Sequence, residues 1–212
     1  MRIQREQVVR AALSLLDEAG IEGVTMRQLA QRLNIQAPSL YWHFANKQAL
    51  LDGMADALLE PVARDVDVSA PWDEVLQRVA GELRRALLSR RDGARVFAGT
   101  YVVTENILRV SEALMGALRR AGASSRVAAW GCFSIVYYVL GFTLEEQPLD
   151  PRFNSQSVDP SRGRAQFSSF PPERFPHVLS ALADIFDTDF DTRFLFGLER
   201  LIRGLKADLP GS

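Results

Sequence analysis

Gln36, Ser39, Tyr41, Trp42, His43 and Lys47 fall within one short stretch of this chain. Such a set has no obvious use as a proton relay or metal site. It is well suited to donating hydrogen bonds. Hydroxyls, a lysine ammonium and a helix N-terminus suit phosphate oxygens, and amide side chains can reach the edges of bases. A structural helix of this length needs far fewer polar groups. Competing chemistries find little support. His43 and His177 are the only histidines and lie far apart in sequence. No Ser-His-Asp set or glycine-rich phosphate loop is evident. Glu145 and Glu146 are adjacent, and neighbouring helical residues point in different directions. The chain is therefore not expected to be an enzyme, and no cofactor or metal is expected.

The elements that would position these groups are legible in residues 25–47. Thr25 is an N-cap, with Gln28 three residues on as in a capping box, and Val24 and Leu29 sit at staple positions. Asn34 can take the left-handed conformation that ends a helix, with Ile35 as the apolar contact beyond it. Pro38 opens the next helix in its first turn, where a missing N–H costs nothing. Two helices joined by so short a turn form a helix-turn-helix, whose second helix enters a DNA major groove.

Along the rest of the chain 3.6-residue periodicity dominates, and nothing alternates like a strand. The expected class is all-α. Helices are predicted at about 4–19, 25–33, 37–44, 47–64, 72–90, 93–99, 104–121, 124–147, 172–186 and 190–208. Residues 148–171, rich in Pro, Ser, Arg and Asp, read as a long irregular loop. The expected organisation is a helix-turn-helix domain over 1–46 and a helical body over 47–212, with 47–64 as the connecting helix.

The 212 residues carry a net charge of −1, so the chain is no general nucleic-acid sponge. Six basic residues (Arg2, Arg5, Arg10, Arg27, Arg32, Lys47) face four acids in residues 1–47, giving a basic head on an acidic body. Cys132 is the only cysteine and reads as a small buried hydrophobe. No signal peptide and no stretch of about 20 apolar residues is apparent, so a cytoplasmic protein without a membrane span is expected.

In the last helix Phe194, Leu198, Leu201 and Leu205 form an apolar stripe beside Gly197 and Gly204; on 124–147, Trp130, Ser134, Tyr137 and Gly141 form another. Both helices look apolar on more than one face, which calls for a second partner helix.

The run Leu40-Tyr41-Trp42-His43-Phe44, then Asn46-Lys47 and Leu50-Leu51, resembles the TetR family of bacterial repressors. So does the opening helix, with Ala11, Ala12, Leu15 and Leu16 before Gly20-Ile21-Glu22-Gly23-Val24-Thr25. Arg84-Arg85-Ala86-Leu87-Leu88, Arg91-Asp92-Gly93-Ala94, Leu144-Glu145-Glu146-Gln147 and 196–204 resemble its tetracycline-repressor branch. The resemblance implies a three-helix DNA-binding head, a C-terminal helical ligand-binding and dimerisation domain over 47–212, and a four-helix homodimer interface, here Trp130, Ser134, Gly141, Phe194, Gly197, Leu198, Leu201 and Leu205. The implied partners are double-stranded operator DNA and a small-molecule effector. It assigns base reading to Arg27, at a position where Arg suits guanine O6 and N7. Ala37 stands where that branch has a base-reading Gln, so Gln36 is the alternative amide, with Ala37 and Pro38 restricted to apolar contact. Met26 replaces a phosphate-binding Thr. Ser39, Tyr41 and Lys47 match phosphate-contact positions, with Trp42 and His43 beside them.

The drug-and-magnesium residues of that branch are largely replaced. Phe97 stands for a metal-binding His; Ala63, Val79, Tyr101, Val102 and Tyr137 replace other ligand contacts, while Thr100 and Glu145 remain. One carboxylate is a thin magnesium site. The expected pocket is instead apolar and aromatic, lined by Leu83, Phe97, Thr100, Tyr101, Met115, Phe133 and Tyr137, with Glu145 retained. It suits a flat hydrophobic molecule. Two functions follow: a ligand-responsive repressor on a palindromic operator, or a DNA-organising or constitutive regulator that needs no ligand.

Overall fold

A computed structural model describes residues 3–100, 103–153 and 160–210, with side chains from 163 onward in the last stretch. Every α or 3-10 element in these stretches is helical: α1 (Arg5–Gly23), α2 (Met26–Arg32), α3 (Ala37–Tyr41), α4 (Lys47–Leu58), α5 (Trp72–Leu88), α6 (Gly93–Ala98), α7 (Glu105–Arg120), α8 (Ser125–Glu146), α9 (Pro160–Ser168), α10 (Pro176–Ser180), α11 (Leu182–Ile185) and α12 (Phe190–Ala207). A 3-10 turn, Gln147–Leu149, extends α8.

The helix starts follow local chemistry. Thr25, Asn46, Thr104, Ser124 and Asp189 each accept a backbone N–H in the first turn of the helix they cap. At α2 the expected capping box forms in altered shape. Gln28 N–H donates to Thr25 Oγ1 at 3.2 Å, while the Thr25 hydroxyl donates to Gln28 Oε1 instead of the Gln reaching the backbone. Asn34 adopts φ 51° and ends α2, with Ile35 N–H closing back on the Ala30 carbonyl at 3.0 Å.

Two apolar cores organise the chain. The first joins α1–α4, with Leu16, Leu29, Leu40, Phe44, Leu50 and Met54 fully enclosed, and takes in Val96 from α6. The second begins at Leu59 and runs through α5, α7, α8 and α12. α4 therefore packs in the head core while its continuation enters the body.

Several elements differ from expectation. α4 ends at Leu58, not 64, because Pro61 has no N–H to donate and disfavours helical geometry in the residue before it. The segment beyond is held by side chains: Arg109 donates to the Leu59, Glu60 and Val62 carbonyls, and Glu82 accepts the Ala63 N–H. α3 stops at Tyr41, since Phe44 must turn into the head core. The expected loop 148–171 contains α9, with Pro160 at its first turn. The single helix expected at 172–186 is two short ones, α10 beginning at Pro176.

α8 also corrects the expectation that no apolar stretch reaches membrane-spanning length. Residues 125–149 are long and apolar enough by length and composition. One stripe of it, Ala128, Cys132, Ile135 and Val139, is buried against α5, α7 and α12. Gly131 lets these helices close in, because a Cβ there would sit 2.9 Å from Leu118 and 3.0 Å from Leu205. Burial pushes the Cys132 thiol up to about 11 despite a hydrogen bond with Ser111.

Candidate functional site

The polar set on the head lies at least partly open to solvent. Arg27, Gln36, Pro38, Tyr41 and Trp42 are exposed; Ala37, Ser39, His43 and Lys47 are half-buried. Trp42 is 89% exposed and Tyr41 52%. An indole left in water is unusual unless a partner covers it. Leu40 and Phe44 anchor the same turn from below, fully buried, so the surface residues are carried on a rigid base. Arg5 braces it further: its guanidinium donates to the His43 carbonyl at 2.8 Å and lies 4.1 Å from the centre of the Phe44 ring. Lys47 is placed differently from a free phosphate contact. Its ammonium donates to the Ile21 carbonyl at the end of α1, at 3.3 Å.

A second constellation joins the head to the body, and sequence reading assigned it no role. The Asp17 carboxylate accepts from the Arg90 guanidinium at 2.6 Å and from the Arg91 N–H at 3.1 Å. Asp92 accepts the Ile21 N–H at 2.8 Å, beside Gly20, whose φ of 68° kinks α1. Arg95 pairs with Glu22 at 3.0 Å. From the body side, the buried Gln147 amide donates to the Leu87 and Arg90 carbonyls, and its oxygen accepts the Ala94 N–H. Residues 87–95 are thus gripped by the end of α8 on one side and grip the end of α1 on the other. Next to Gln147, Glu146 receives both ends of the Arg84 guanidinium at 2.6 and 2.8 Å, and Arg84 also reaches Asp191 at 2.6 Å. Burial works against the charge on Arg84, but the hydrogen bonds it donates to Glu146 and Asp191 outweigh it and hold the guanidinium protonated. The runs 84–88, 91–94 and 144–147 carried this signal, since they pair Arg, Asp, Glu and Gln with close-packing residues.

The residues expected to line one ligand cavity are dispersed. Leu83 is 1% exposed, packed in solid core. Phe97, Thr100 and Met115 are half-buried, Phe97 touching both cores. Phe133 and Tyr137 stand on the outer face of α8, stacked with ring centres 5.9 Å apart, 54% and 66% exposed. They do not face Leu83, because the α8 stripe carrying Ile135 and Val139 is the one turned inward. Glu145 is exposed on a cleft of about 450 Å3 with Tyr138, Phe142, Phe190 and Arg193. Tyr101 lies outside the described residues, as does Val102.

The expected dimer seam also divides. Trp130, Ser134 and Gly141 are exposed on the outer face of α8. Phe194 and Leu198 are 2% and 0% exposed in their own chain, so no second copy can bury them further. Gly197 is covered by Tyr138, whose hydroxyl donates to the Phe194 carbonyl at 2.8 Å. Leu205 packs on Gly131, and Leu201 is half-buried. Of the stripe predicted on α12, Phe194, Leu198 and Leu205 therefore pack on its core face. Phe196, 60% exposed beneath the Arg200 guanidinium at 3.4 Å, marks the opposite face.

Comparison with known proteins adds the following. Residues 8–54 match the model of bacterial regulatory proteins of the tetR family, and residues 68–209 that of the tetracyclin repressor-like C-terminal domain. The chain is 37% identical over 210 residues to the tetracycline repressor protein class C of Escherichia coli, covering 97% of this chain and 91% of that one. It resembles the crystal structure of a possible TetR family transcriptional regulator from Streptomyces coelicolor A3(2), at 39% identity and TM-score 0.86 over 96% and 99% of the two chains. It also resembles the Streptomyces coelicolor TetR family protein ActR in complex with actinorhodin, at 30% identity and TM-score 0.88 over 98% of each chain.

Proposed function

We infer, because this chain belongs to the tetR family of bacterial regulatory proteins, that it is a cytoplasmic homodimeric repressor released from a palindromic operator by a small hydrophobic or aromatic molecule. The observation that carries the DNA half is the exposed Trp42–Tyr41 surface set on a buried Leu40–Phe44 base. Arg27 reads a base edge, with Gln36, Ala37 and Pro38 at the start of α3. Ser39, Tyr41, Trp42 and His43 position the phosphates, and Lys47 joins them on leaving the Ile21 carbonyl.

Dimerisation uses the outer faces of α8 and α12. Trp130, Phe133, Tyr137 and Phe196 leave a large apolar area in water in one protomer. At Gly141 and Gly204 an added Cβ meets nothing within 4 Å, so a partner backbone can approach there. A two-fold dimer places its α3 helices one DNA turn apart, about 34–36 Å.

The effector acts in the body, around Phe97 and Thr100 of the α6 region and Met115 of α7. One structural relative is described in complex with actinorhodin, and another, a TetR variant from Acinetobacter baumannii, in complex with minocycline. Phe97 cannot ligate a metal, so release here does not depend on magnesium. α6 packs against α4, and residues 87–95 hold α1, so a shift of α6 tilts the head through two links. A hundredfold loss of operator affinity takes about 2.7 kcal/mol of differential binding.

The test is selection of operator sequences from random DNA, followed by titration of the complex with aromatic candidates in the presence and absence of EDTA. Discrete two-fold sites released by a ligand in EDTA support the reading. Sequence-blind binding, or release that EDTA abolishes, overturns it.

A further inference from the structure

We propose that the cleft between α1 and α4 is a second small-molecule site, one that takes a hydrophobic organic cation. The cleft has a volume of about 690 Å3, the size of a drug-binding pocket. It lies in the head and against the start of α7, and Phe97, Thr100 and Met115 are not among its lining residues. Its apolar side is Val9, Leu13, Ala49, Gly53 and Ala57. The apolar side is fixed in place: Val9 and Leu13 are anchored in the head core, and Gly53 lies so close to the Phe44 ring that a Cβ would sit 2.9 Å from it.

The polar lining sets the sign of the ligand. Four carboxylates, Glu6, Asp52, Asp56 and Glu60, share the cleft with two guanidiniums, Arg5 and Arg10. Arg5 is committed to the His43 carbonyl and the Phe44 ring. Arg10 is exposed. Among the acids, Asp52 accepts from Gln48 and Glu60 pairs with Arg64. Asp56 is different. Its backbone carbonyl is bonded by Asn106, which fixes the residue, yet its carboxylate Oδ1 is sealed from solvent with no hydrogen-bond partner among the described residues. An uncompensated carboxylate costs the fold a desolvation term that a cation beside it offsets. Asp56 lines the cleft and is only half-buried as a residue, so a turn of its carboxylate brings the unpaired oxygen to an ammonium whose apolar body lies along Val9, Leu13 and Ala57, which satisfies both parts of the lining. Such a ligand touches α1, α4 and the Thr104–Asn106 edge of the body at once.

The experiment is methyl NMR of the whole protein titrated with 4-phenylbutylamine, 4-phenylbutanol and 4-phenylbutyrate, which share a body and differ in charge. The amine should shift the methyl signals of Val9, Leu13, Ala49 and Ala57, and should bind at least about tenfold tighter than the alcohol. Asp56→Asn, close in shape, should erase that preference while the melting temperature is retained. Ala57→Leu, which keeps the carboxylate and narrows the cleft, should weaken the amine. Tighter binding of the carboxylate would assign the cleft to anions through Arg5 and Arg10 and overturn the proposal. So would shifts confined to the body, or an amine preference that survives Asp56→Asn.

Discussion

The Asp92 carboxylate accepts the backbone N–H of Ile21 at 2.8 Å, so the first residues of α6 are fastened to the last turn of α1. Asp92 itself sits at φ 54°, and a Cβ on Gly20 would come within 3.0 Å of its Oδ2. The contact is therefore specified from both sides. Asp92→Gly keeps the positive φ and removes the acceptor, together with a weaker 3.4 Å contact to Arg95. We expect it to cost about 1.5–3 kcal/mol, the range for a hydrogen bond to a charged group. Hydrogen exchange should show the Ile21 amide losing protection while α5 and α8 keep theirs. Unchanged protection at Ile21 would mean the clamp holds nothing.

Association and stability should separate on α8 and α12. Trp130→Glu places a charge on an exposed face, and we expect monomers in ultracentrifugation with little change in the stability of the protomer. Leu198→Ala removes fully buried atoms and should cost about 2–5 kcal/mol of folding stability. If Trp130→Glu remains a tight dimer, the seam lies elsewhere.

The buried fork of Arg84 on Glu146 makes a different prediction. Removing Arg84 strands a carboxylate that is 12% exposed, and breaking such a pair costs about 3–5 kcal/mol. Arg84→Met should lower the melting temperature sharply. Adding Glu146→Gln should recover part of the loss, because no charge is then left behind. Lack of recovery would show that Arg84 acts by packing on Phe142 and Phe194 alone.

Asp189 gives the pH dependence. The backbone N–H of Thr192, then its hydroxyl, hold the Asp189 carboxyl below the usual carboxylate range. A depressed folded-state value contributes stability above the unfolded-state value, lost as pH falls through the folded one. Asp189→Ala should therefore melt below the parent at pH 7, and the difference should shrink as the pH falls below the ordinary carboxylate range. A gap constant with pH would remove the cap from the account.

How much of this the sequence disclosed depended on range. The cap at Thr25 and the turn at Asn34 are local, and they formed where the spacing put them. The class and the head followed from them. Partners distant in sequence were not legible: Asp17 with Arg90 and Gln147 with Ala94 required the fold. Periodicity found the stripe on α12 but could not tell which apolar face is covered by the same chain. Phe194 and Leu198 went inward and Phe196 outward because Tyr138 and Gly197 fit together. Composition misread 148–171, since Pro160 starts a helix as readily as it breaks one.

Cys132 offers a simple check on the body core. With its thiol pushed up to about 11 by burial, almost none is thiolate at neutral pH. A thiol reagent should leave the native protein unmodified and label one site once it is denatured. Prompt native labelling would show that the α7–α8 contact opens readily.

The central claim is that the α3 surface reads DNA, and the direct measurement is fluorescence anisotropy on the selected operator and a scrambled duplex. For Arg27→Ala we predict a loss of about 1–3 kcal/mol on the operator and much less on the scrambled duplex. For Trp42→Ala we predict weakening on both, with the melting temperature unchanged because the indole is 89% exposed. Wild-type affinity in both variants, with the fold intact, would contradict the claim.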